Sequence, residues 1–430
     1  MKNRWITHLG WGFAAIAAFG VGSQFSAWKA NDHQLDAELA RKAGGSGMSQ
    51  DSEAIQRTFK SKTRDKDMES GSLLDRLFGS SSADSATIKG LAQQAFTSSN
   101  PIVRRLAFGR LLESMTPENA EAMRMQMVKL GADQDQWKDF HFSWGALAGE
   151  QAFVFAASSE ERDLAPVISG WAAANPAAAL AMLENLPAVH EGQRAELEES
   201  VVAGLAATNS SLAADFVMRL ASQGRGDVGK LMETVAKEVL RAGGAAEASR
   251  WAEGLLDGDM KGVAMAQIAG KFFELDPLAA SKWAARFADK TYATQMIEQG
   301  VGPWVQRDPV TAVSWLESLP AGNGKNAGLS AAFGDWEDSN PGSASEHLLS
   351  MPDSPARDAA ISGFSNGYAW QNPRVAIDWA QSISEPNLRA QSLARAGQIY
   401  FRRNPTSAQA WLDGSNLSAE MQTAIRQPMR

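Results

Sequence analysis

Apolar and small residues recur along the second half of this chain with a near-fixed period of 32. The frame is set by Asn or Asp followed by Pro, an Ala three residues after the Pro, and an aromatic six after it. The Pro or its equivalent falls at Pro176, Ser210, Ala245, Pro277, Pro309, Pro341, Pro373 and Pro405; the last five intervals are 32 residues, and the two before them are 34 and 35. In the unit opened by Asp308 and Pro309, residues Ala312, Trp315, Leu316 and Leu319 share one face of a helix. Asp308 suits an N-cap and Pro309 the first helical position, where a missing N–H costs nothing. Pro320 disfavours any continuation. A second helix precedes each cap, marked by a large apolar residue five before the Pro: Trp171, Leu205, Leu240, Phe272, Trp304, Trp336, Tyr368 and Tyr400. Small residues about one turn earlier, such as Gly270, Gly302, Gly334 and Gly363, are expected to let helices approach closely.

Each unit therefore reads as an αα-hairpin of about 32 residues. One hairpin cannot bury both faces alone, so neighbours must stack. The expected fold class is all-α, an α-solenoid of about eight to nine such hairpins, since no alternating strand pattern persists. Trp144, Gly149, Ala152 and Phe155 fit the same frame as a degenerate first unit, and Asn100-Pro101 and Thr116-Pro117 read as two earlier helix starts. Ser418 is placed to cap a last short helix carrying Met421 and Ile425. The recurring indoles Trp171, Trp251, Trp283, Trp304, Trp315, Trp336, Trp379 and Trp411 all fall on core positions of the period.

The N-terminus is of another kind. Lys2 and Arg4 precede an apolar run from Trp5 to about Trp28, long enough to cross a bilayer core of about 30 Å. Leading positive charge predicts a cytoplasmic start and repeats on the far side. The reading is a signal anchor or transmembrane helix over residues 1–30, with a cleaved signal peptide as the alternative. Residues 31–84 form a flexible linker, too poor in apolar residues to offset its ordering entropy. Residues 85–148 make an N-terminal helical cap region and 149–430 the repeat array. Both N-terminal readings export the array, which in a cell with two membranes means the periplasm.

Composition narrows the chemistry. The chain of 430 residues has no cysteine, which removes disulfides and thiolate metal sites. Its net charge is −8, and residues beyond 70 hold 31 Lys and Arg against 41 Asp and Glu. A body this acidic, with no basic stripe, is a poor partner for nucleic acid. The five histidines make no metal-ligand spacing. His347 fills the slot of the repeat aromatic, and His141 lies between Phe140 and Phe142; both read as packing residues. Asp257 to Ile268 fails as a calcium loop, because Lys261 stands where an oxygen ligand is required. Gly322-Asn323-Gly324-Lys325 lacks the spacing of a phosphate loop and reads as a hairpin turn. No catalytic or cofactor motif emerges.

One pattern suggests a surface. Glu184, Glu253, Glu317 and Asp413 share the position eight after the Pro, with Gln381 in another unit. Stacking would align them as a ridge, either a solvated helix face or a binding ridge for a basic partner. The hairpin resembles tetratricopeptide-type repeats in its small-residue, aromatic and closing-Pro logic. Its period is shorter than their roughly 34, and the Trp-x-x-Leu-Gly-x-x-Tyr run is missing. Over about residues 140–415 it is more similar to an uncharacterised family of exported bacterial helical-repeat proteins with Asn/Asp-Pro-x-x-Ala-x-x-Trp units. That resemblance implies scaffolding and protein or peptide binding, without a particular ligand. A cell-wall polymer-binding or glycan-processing module on the same helices, and a structural spacer, are the alternatives.

Overall fold

A computed structural model describes residues 85–159 and 163–427. The expected anchor and linker lie outside the described residues. Among the described residues the secondary structure is helical throughout, with no strand, and no helix is long and apolar enough to cross a membrane. Contacts divide the chain into two compact units, with the boundary between Asn209 and Ser210.

The first unit contains α1 (Ser85–Thr97), α2 (Pro101–Glu113), α3 (Ala120–Leu130), α4 (Gln134–Ala148), α5 (Glu150–Ser159), α6 (Leu164–Ala174), α7 (Pro176–Glu184) and α8 (Arg194–Thr208). Asn100 caps α2 as its sequence demands, accepting from the N–H of Ile102 at 2.9 Å. The start read at Thr116-Pro117 behaves differently. Thr116 and Asn119 bond each other reciprocally in a turn, and α3 begins only at Ala120. The degenerate unit forms: Ala152 is buried, and the Phe155 ring lies 4.8 Å from Trp144. Helices α4, α6 and α8 pack side by side. Gly170 makes this possible, since a Cβ there would lie 1.8 Å from the carbonyl oxygen of Phe142.

The second unit contains α9 (Ser210–Ser222), α10 (Val228–Glu253), α11 (Asp259–Leu275), α12 (Pro277–Ala285), α13 (Thr294–Gly300), α14 (Gly302–Val305), α15 (Pro309–Ser318), α16 (Asn323–Ser339), α17 (Pro341–Ser350), α18 (Pro355–Tyr368), α19 (Pro373–Gln381), α20 (Pro386–Arg403), α21 (Pro405–Asp413) and α22 (Ala419–Arg426). Gly244, at φ 72, breaks α10 where the other units have their Asx-Pro corner. The first element of each hairpin packs on its successor in the order α11, α13, α16, α18, α20, α22. Short helices α17 and α19 wedge between consecutive members of that row.

The Asx-Pro corner has a two-sided cause. The backbone N–H of Asp308 closes the preceding helix on the carbonyl of Trp304 at 2.8 Å, while its carboxylate accepts from the N–H of Thr311 at 3.1 Å. Asn404 does the same with Tyr400 and Ser407, at 2.8 and 3.1 Å. One residue therefore ends one helix and caps the next, so orphan groups on both sides are satisfied. The turn then folds the aromatic five before the Pro against the one six after it. Ring centroids are 5.7 Å apart for Phe272–Trp283 and Trp304–Trp315, 5.6 Å for Trp336–His347 and 6.1 Å for Tyr400–Trp411.

Three expectations need correction. Trp171, Trp283, Trp304 and Trp336 are buried, but Trp251, Trp315, Trp379 and Trp411, all six after the Pro or its equivalent, are only half-buried. Gly270 has open space where a Cβ would stand; the backbone approach is made by Gly363, whose Cβ would lie 1.9 Å from the Ser330 carbonyl oxygen. Asn323-Gly324-Lys325 form the first turn of α16 and not a loop. Lys325 explains why: its ammonium donates to the Glu317 carbonyl at 2.5 Å, at the end of α15. Arg194 to Leu183, Lys261 to Glu253, Arg357 to Leu348 and Arg389 to Ile383 repeat this link, at 2.8, 2.9, 3.2 and 2.8 Å. A cation at the start of one helix thus caps the carbonyls at the end of the previous one.

Candidate functional site

An open groove of about 710 Å³ lies along α18 and α20. Its floor is set by two hydroxyls. Ser362 and Ser392 are buried and bond each other at 2.9 Å, which fixes the two helices at close range. One turn beyond Ser362, Asn366 enters the groove. Its amide nitrogen lies 3.4 Å from the Ser362 hydroxyl, and its buried oxygen Oδ1 has no partner. From α20 come Gln391, Ala394, Arg395, Gln398 and Arg402. Gln398 is held by a bond from its amide to the Ala424 carbonyl at 2.9 Å.

Trp370 closes one end. It follows α18 in a tight turn, and its carbonyl accepts from Arg403, which also reaches the Gln371 carbonyl at 2.9 Å. The indole is left 45% exposed, large for a residue of this type. The Arg402 guanidinium sits 5.5 Å from its centroid. Among the described residues neither Arg395 nor Arg402 has a carboxylate partner, and no carboxylate lines the groove. The site thus offers two guanidiniums and an aromatic face. The period hides it, because Trp370 lies three residues before a Pro and belongs to no recurring apolar position. Its only sequence signal was being an indole off the frame.

The predicted acidic ridge is placed elsewhere, at the ends of the short helices. Glu317 accepts toward His347 Nε2 at 3.0 Å, so its carboxylate links α15 to the next hairpin. Glu253 is bonded by Arg286 of the following hairpin. Asp413 takes the Gln409 amide at 2.5 Å and lies 3.9 Å from Arg426. Glu184 ends α7 in the first unit, exposed. Glu253, Glu317 and Asp413 are therefore engaged by side chains of their own unit. His347 also packs as expected, its ring 5.8 Å from Phe333.

A second polar cluster is closed to solvent. In the first unit, Asp163 and His141 are fully buried. Asp163 accepts from Arg124 Nη2 at 2.7 Å and from the Trp137 indole at 2.8 Å, and lies 3.4 Å from His141 Nε2. His141 Nδ1 stands 2.8 Å from the Trp137 carbonyl, so that nitrogen carries the hydrogen. Burial alone would raise the Asp163 carboxyl, but hydrogen bonds from His141, Trp137 and Arg124 hold it down at about 2. Arg124 stands 39 residues from Asp163, a pairing no local pattern reveals. With no path for a substrate, the cluster ties α3, α4 and the start of α6 together.

Nearby Asp139 is pushed up to about 6 by burial and by Asp135 and Asp133. Lys261 donates to Asp257 at 2.9 Å, the place a calcium ion would need. Among the described residues no group of three or more His, Asp or Glu could hold a metal ion. Compared with protein-family models, curated proteins and solved structures, the chain matches none.

Proposed function

We propose that this chain is a non-enzymatic binding scaffold, an α-solenoid of αα-hairpins that captures a peptide or protein segment. Its apolar run from Trp5 to Trp28 tethers it to a membrane and sets the repeats outside the cytoplasm, in the periplasm of a two-membrane cell. The observation that carries the reading is the groove along α18 and α20, where an exposed indole and two guanidiniums without a carboxylate partner converge. Exposed aromatics and arginines at a concavity are the residues that dominate protein recognition. Helical-repeat arrays use their extended faces in this way.

The test is a selection of displayed random peptides on the full-length chain, with Trp370→Ala as the counter-selection. Enriched peptides are expected to bind the parent and lose at least about tenfold on the variant, the scale of a buried aromatic anchor. Peptides that bind both equally, or no enrichment at all, would remove the groove as the binding surface. For the tether, deletion of residues 1–30 is expected to move the chain from the membrane pellet to the soluble fraction.

A further inference from the structure

The charge of the groove sets which segment it takes. Residues 85–354 carry 22 Lys and Arg against 34 Asp and Glu, whereas residues 355–427 carry seven Arg and no Lys against five carboxylates. Of those five, Asp378 and Glu420 are exposed and off the groove, while Asp358 is buried and accepts from the backbone N–H groups of Ser384 and Glu385, both at 2.9 Å. Glu385 caps α20 through the N–H groups of Asn387 and Leu388. Asp413 is engaged by Gln409. Four of the seven arginines are likewise spent: Arg357, Arg389 and Arg403 donate to carbonyls, and Arg426 faces Asp413. Arg374 stands over the Trp411 ring at 5.9 Å. Arg395 and Arg402 remain, exposed and on the groove. They sit seven positions apart on α20, two turns of one helical face.

We infer that the groove binds an acidic peptide segment, with carboxylates on Arg395 and Arg402 and an apolar or aromatic residue on Trp370. This rests on the peptide-binding reading above and adds the sign of the partner. Guanidinium donors match carboxylates in geometry as well as charge. An acidic partner is the opposite of the basic one that the carboxylate ridge suggested. Glu253, Glu317 and Asp413 already have side-chain partners of their own unit, whereas the groove is lined by Arg395 and Arg402 and by no carboxylate.

The experiment is fluorescence anisotropy on the full-length chain with a labelled ten-residue peptide of alternating Glu and Phe, against its Lys-for-Glu counterpart. The acidic peptide is expected to bind, and raising salt from about 0.05 to 0.5 M to weaken it, as screened surface charges require. Arg395→Gln with Arg402→Gln is expected to cost about five- to thirtyfold in affinity, two exposed ion pairs, with unchanged melting. Arg395→Glu with Arg402→Glu is expected to transfer preference to the Lys peptide. Equal binding of both peptides by the parent, or of the acidic peptide by parent and Gln variant, overturns the inference. A uronic-acid oligomer that binds more tightly than the peptide overturns it too. If selected neutral or basic peptides bind at Trp370 while acidic ones do not, the binding scaffold stands and only the acidic assignment falls. If no peptide binds, both fall.

Discussion

Asp163 accepts from Arg124 and Trp137 at the centre of the first unit, and its carboxyl is held down at about 2 against an ordinary 3.8. Its contribution to stability is present above the ordinary value and is lost as pH falls toward 2. Asp163→Asn leaves Arg124 facing a neutral amide, and a broken buried pair costs about 3–5 kcal/mol. A denaturant titration at neutral pH measures that loss, and the variant's acid limb should be flatter than the parent's. Glu337 in the second unit has the opposite sign. It is buried, one oxygen takes the Gln371 amide at 3.1 Å, and the other has no partner. Burial, with Asp338 adding to it, pushes its carboxyl up to about 7 from 4.5. Between those values the unfolded chain gives up a proton that the folded chain keeps, so stability falls as pH rises through the window. Glu337→Gln is expected to abolish that fall; a variant whose midpoint drops with pH as the parent's does would sink the assignment.

At the scale of the element, the corner residue carries two jobs. Asp308→Ala removes the cap of α15 while leaving the backbone bond to Trp304, so a cost of about 0.5–2 kcal/mol is expected, measured as a lower denaturation midpoint. Gly363→Ala is expected to cost more, because its methyl would meet the Ser330 carbonyl and the rows α16 and α18 would have to part. These elements differ in how readily the chain announces them. Asn or Asp before Pro is a local rule, so the starts of α7, α12, α15, α17, α19 and α21 were all readable. The cations from Arg194 to Arg389 recur too, at 16 to 18 residues after the Pro. Their meaning is spatial, since the carbonyl each one serves belongs to the helix before. Gly363 and Gly270 look alike in sequence, and only the packing of the next helix decides which one is crowded. The groove was the least legible, since Trp370, Arg395 and Arg402 become neighbours only when α18 and α20 are set side by side.

On the scale of the whole molecule, acidic residues prevail through residue 354, and the arginines beyond it stand out against them. The identical corner at Asn340 and Asn372 has a consequence for heredity. A segment running from Pro309 through Asn340, copied in tandem, would rejoin Asn340 to Pro309 and recreate the same joint at the seam. Inserting that extra copy is expected to add helical circular dichroism in proportion to its 32 residues without lowering the melting temperature. A chain that accepts the copy in this way would make one period the step by which its length can change while the contacts of every other copy stay as they are.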